Sequence, residues 1–147
     1  MGGQACSRIV RSANSDSVIN AEIWAVDSGS GSPISGQTTA TVDISWSSST
    51  ASLTYAVYQM TGGSITASDT QGGTDAVTIT VPTDGVALVV AANGASTAGT
   101  LDNVIEDFND TPAFPSMRGI HAHAFSTVTS TCSLSGASVA AAAFPPT

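Results

Sequence analysis

The densest group of chemistry-bearing side chains in this 147-residue chain lies between Leu101 and Asp110, where Asp102, Glu106, Asp107 and Asp110 stand among Asn103 and Asn109. Carboxylate and amide oxygens at that density are the hard ligands that Ca²⁺ takes. Their spacing is not that of an EF-hand loop, which needs ligands at alternate positions, a central Gly and a terminal Glu. The stretch therefore reads as a solvated acidic loop, with a bound cation as the alternative. His121 and His123 are the second candidate group. Two residues apart on a strand, both imidazoles project from one face, as a transition-metal pair would. No third ligand accompanies them in the sequence. One pair per subunit around the axis of a symmetric oligomer would complete a shell, but ordinary strand positions beside Phe125 account for both without a metal.

Catalytic patterns are missing where they would be sought. Serines are abundant, yet none sits in a Gly-x-Ser-x-Gly elbow, and no glycine-rich phosphate loop opens a helix. Two acids serve glycoside hydrolysis only when a fold sets them a few ångströms apart, which spacing along the chain does not establish. The expectation is a protein that is not an enzyme and carries no cofactor.

Charge narrows the partners. Lysine is absent, and Arg8, Arg11 and Arg118 face eleven carboxylates, for a net charge of −8. A surface of that sign repels nucleic acid and anionic membranes, both of which need a basic face. Ser, Thr, Ala and Gly make up more than half of the chain. At 41% hydrophobic and 10% charged residues the composition is that of a globular protein. The length suits one domain, residues 1–147. The longest apolar run, Val86 to Ala92, is far short of the roughly 20 residues that span a bilayer. The start of the chain has no apolar stretch with a small-residue cleavage site, and Cys6 stands where a myristoylation signal wants Ser or Thr. Synthesis in a reducing cytosol follows as the expectation, with Cys6 and Cys132 as packing thiols and a disulfide between them as the alternative.

The elements that must position these residues read as strands throughout. Ile19 to Ala25, Ala40 to Trp46 and Leu53 to Val57 alternate apolar and polar residues, as strands with one wet face do. Tyr55 is placed inward with Leu53 and Val57, and Trp46 inward with Val42 and Ile44, while Trp24 and Tyr58 fall on the opposite phase. Val77, Ile79 and Val81 form a further strand, ended by Pro82 and the Asp84-Gly85 turn. Val86 to Ala92 carries no polar residue on either face and belongs in mid-sheet, covered on both sides. Gly119 to Phe125 and Ala137 to Phe144 complete the series. The predicted fold is all-β: a single-domain β-sandwich of seven to nine strands, jelly-roll or immunoglobulin-like in type.

In texture and order the chain resembles small structural proteins of tailed bacteriophages, particularly those decorating phage heads. The resemblance spans roughly residues 40 to 144 and rests on a Val-rich strand opened by Gly (DGVALVVAANGAS), an acidic segment (LDNVIEDFND) and a closing Ala-rich strand ending in Phe (GASVAAAAF). It implies a virion protein on the capsid exterior, made in the host cytoplasm, with the major capsid protein and copies of itself as partners, first of all as a homotrimer. Residues 1–17 would then be an attachment segment or the first strand. The alternative is a glycan-binding or adhesive module, spike-borne or tail-associated, in which Trp24, Trp46, Tyr55 or Tyr58 stacks on a sugar of the host.

Overall fold

The computed structural model describes residues 4–12, 19–27, 32, 35, 41–45, 54–94, 99–110 and 118–147, and among them every regular element is a strand. In chain order these are β1 (Ser7–Arg11), β2 (Glu22–Ala25), β3 (Asp69–Thr74), β4 (Ala76–Ile79), β5 (Val86–Asn93), β6 (Ile105–Asp110), β7 (Arg118–Ala124), β8 (Val128–Thr131) and β9 (Ser138–Phe144). A five-stranded antiparallel sheet in the order β3-β9-β5-β7-β6 forms the centre, and the two-stranded ribbons β1-β2 and β4-β8 complete an all-β sandwich.

Why β5 and β9 take the middle follows from their side chains. Every residue of β9 is buried, and β5 is buried beyond its first residue. A strand covered on both faces needs apolar residues at both phases. On one face Ala87, Val89 and Ala91 of β5 and Val139, Ala141 and Ala143 of β9 meet Val77 and Ile79 of β4, together with Ile120, Ala122 and Cys132. On the other, Leu88, Val90, Ala140, Ala142 and Phe144 meet Ala21, Ile23 and Val10 of the β1-β2 side. Each fully buried Val or Ile contributes on the order of 1.5–3 kcal/mol. The alanines of β9 keep the sheet thin enough for both layers to close on it.

Ladder partners place the strands that alternation does not reveal. β3, with the sequence Asp-Thr-Gln-Gly-Gly-Thr, has no apolar phase and holds its position through its register with β9, Asp69 opposite Ala143 through Thr74 opposite Ser138. Asp75 turns the chain from β3 into β4 with φ 66°, while its carboxylate accepts the Ala137 N–H at 2.8 Å. A Cβ on Gly73 would strike the Ala76 carbonyl. In the β4-β8 ribbon Thr78 and Thr129 stand opposite each other, with hydroxyls 3.0 Å apart.

Three expectations need correction. Residues 41–45 carry no ladder, and Val42 and Ile44 are exposed; residues 40 and 46 lie outside the described set. Residues 54–60 likewise form no strand, and their phase is inverted: Tyr55 and Val57 are exposed, whereas Tyr58 and Met60 pack toward the sheet. Alternation marks a two-sided segment without saying which side has the partner, and here the sheet takes Tyr58 and Met60. The third correction concerns the acidic stretch, of which residues 105–110 are not a loop but the edge strand β6. Its carboxylates lie at a sheet margin, where water and side-chain donors reach them. Cys6 and Cys132 are free thiols, the first half-buried and the second in the core.

Candidate functional site

The bulge in β6 decides where the acids point. Ile105 pairs with His123, Glu106 with Ala122 and Phe108 with His121, so Asp107 is the extra residue between two registers. A bulge re-aims a side chain, and here the Asp107 carboxylate lies 2.8–2.9 Å from His123 Nδ1. From the 54–60 segment the Tyr58 hydroxyl donates to Asp107 Oδ2 at 2.9 Å. Because a carboxylate only accepts, Nδ1 carries the hydrogen and Nε2 is the ring's remaining polar atom. Burial, reinforced by the hydrogen bond to Asp107 and its charge, pushes the Tyr58 hydroxyl well above its usual range, so it stays a donor. The three groups tie together the 54–60 segment, the edge strand β6 and β7.

His121 and His123 do share one face of β7, opposite Val90 and Leu88. Their surroundings differ. His121 is buried, with the edge of Phe108 against its ring at a centroid distance of 5.5 Å, and burial lowers its pKa against a smaller opposing pull from Asp107. His123 is partly open, with Phe125 at 5.1 Å. Beside it runs a groove of about 340 Å³, floored by Val86, Leu88 and Phe144 and walled by Tyr58, Met60 and Phe125. Gly119, two residues before His121, lies so close to Thr54 that a Cβ there would overlap its hydroxyl; that contact seats the 54–60 segment on the sheet.

The other acids have separate tasks. Asp102 accepts the Thr131 N–H through its carboxylate and the Ser130 hydroxyl through its carbonyl. Glu106 accepts the Leu101 N–H at 2.7 Å and the Asn109 amide at 2.9 Å. Asn103 turns the chain at φ 58° and donates to the Thr129 carbonyl. Asp110 ends β6 opposite Gly119. Among the acids whose side chains are described, Asp102 and Glu106 thus turn elsewhere and Asp107 joins His123. Among the described residues no three His, Cys, Asp or Glu side chains gather closely enough to hold a metal ion.

A second polar cluster, not anticipated beyond the exposure of Trp24, covers the outer face of the β1-β2 ribbon. Trp24 is 53% exposed. Its indole N–H donates to Glu22 Oε2 at 2.8 Å, and the Arg8 guanidinium lies over its ring at 5.8 Å. Arg8 and Arg11 approach Glu22 Oε1 at 3.4 and 3.3 Å, and Arg11 donates twice to Asn20 Oδ1, at 2.7 and 3.0 Å. Register explains the convergence: Arg8 stands opposite Trp24 and Arg11 opposite Glu22, with the shift at Ile9 restoring both arginines to the outer face.

Comparison with protein-family models, with curated proteins and with solved structures finds no match.

Proposed function

We propose that this chain is a virion structural protein that decorates or cements the capsid shell of a tailed bacteriophage, working as a small homo-oligomer, a trimer in the first instance, against the major capsid protein. One observation carries the assembly part of this reading: large apolar side chains stand open around the β6 edge, with Ile105 54% exposed, Phe108 more than a third exposed and Phe125 65% exposed. An edge strand is an invitation to pairing unless charge, proline or a covering element blunts it; β6 has no lysine, and of its acids Asp107 is held by His123 and Tyr58 and Glu106 by the Leu101 N–H and Asn109. Exposed apolar area of this kind is what a partner covers. The phage assignment itself rests on the resemblance in texture and in the order of features along the sequence. An electron-microscopy map of particles containing the protein tests it: density for this fold is expected on the outer shell at symmetry-related sites, and density confined to the tail, or none on the particle, would refute it.

A second reading, recognition of glycans, is favoured by Trp24. A large aromatic ring more than half exposed, with polar side chains around it, is the platform on which sugar rings stack.

A further inference from the structure

We infer that the outer face of the β1-β2 ribbon is a site for a carboxylate-bearing sugar, an inference that rests on the glycan reading and gives it a ligand class. The inner face of the ribbon, with Val10, Ala21 and Ile23, already supplies what the core takes from it. Trp24 on the outer face is therefore not a packing residue of the core. Two of the chain's three cations stand beside it, and with Glu22 they leave this patch at +1 in a chain of −8. Their side chains remain 43–47% exposed, and their separations from Glu22, 3.3 and 3.4 Å, exceed the 2.7–2.9 Å typical of charge-assisted bonds. Among the described residues Arg8 donates through Nη1 alone, to Glu22, and Arg11 through Nε and Nη2, to Asn20, so the other N–H groups of each fork are there for an incoming acceptor.

The ligand follows from that set of groups. The Arg8 guanidinium lies over the Trp24 ring, and the part of this half-exposed indole left open is what it offers to the C–H side of a pyranose. Glu22 accepts from sugar hydroxyls, and Asn20 both donates and accepts. A guanidinium fork matches a carboxylate in two parallel hydrogen bonds. A neutral sugar would leave the arginines unused, and a free inorganic anion would leave Trp24 unused. A uronic acid and a sialic acid both present ring, hydroxyls and carboxylate.

The test measures binding of the full chain to oligosaccharides of equal length by calorimetry, one containing uronate, one ending in sialate and one neutral. Binding in either acidic arm is expected, with the neutral arm weaker by about tenfold or more, the loss of one charge-assisted contact. Trp24→Ala should abolish binding, and Arg8→Gln with Arg11→Gln should erase the preference for acid while retaining weak binding. Thermal unfolding of each variant checks the fold; should Trp24→Ala not fold, the arginine pair alone decides. Equal binding of acidic and neutral sugars would overturn the acidic ligand and leave the glycan reading standing. No binding in any arm would overturn both. Loss of capsid occupancy in these variants, without sugar binding by the parent chain, would make the face a shell contact and overturn the inference.

Discussion

His121 and His123 occupy equivalent places on one strand face and still differ in chemistry, because a bulge one strand away sends Asp107 to His123 and leaves Phe108 against His121. The sequence carries the shared face, since spacing of two is enough for that. It does not carry the bulge, which is a property of register between two strands. One consequence is a pH dependence. Burial holds the His121 pKa below its ordinary value, so below roughly pH 6.5 the unfolded chain takes up a proton that the folded chain resists. Stability is therefore fully present above about pH 6.5 and falls as pH drops from there through the lowered folded value. Urea midpoints between pH 7.5 and 5 should decline for the parent chain, and less steeply for His121→Phe, whose ring fits beside Phe108. Equal declines would show that His121 takes no part. Trp24 was legible in its exposure from the phase of its strand, whereas its arginine neighbours were not, because their convergence depends on the register shift at Ile9.

At the scale of elements, what could be read were the strands with an internal apolar pattern. β5, β7 and β9 stand where their side chains require, with β5 third of five. β3, β6 and β8 could not be read, because their strand character comes from partners: Asp69–Thr74 has no hydrophobic phase of its own and is defined by the buried strand beside it. Conversely, residues 41–45 and 54–60 alternate and form no ladder. The closing strand makes the sharper prediction. Ala141 is fully buried between β3 and β5, facing Ile79 and Val89 in the same core, so Ala141→Leu must force three extra carbons into close-packed space. A loss of about 1–3 kcal/mol is expected, read as a lower denaturant midpoint at unchanged slope. An unchanged midpoint would mean that the β4-β8 layer does not close on the sheet at that point.

For the molecule as a whole, the proposed function lies in assembly, through apolar area near the β6 edge and backbone groups that a partner would cover. Contacts of that kind depend little on ionic strength, whereas attachment through three arginines and eleven carboxylates would weaken as salt screens them. The two readings separate most clearly when the protein is removed from particles and added back at low salt and at roughly 1 M salt, where screening acts beyond about 3 Å. Occupancy counted on the particles should be the same at both concentrations for the parent chain, and should fall at both for Ile105→Asp, which sets a charge in the exposed apolar edge. Loss of the parent chain at high salt alone, or full occupancy by Ile105→Asp, would contradict the claim that this surface carries the attachment.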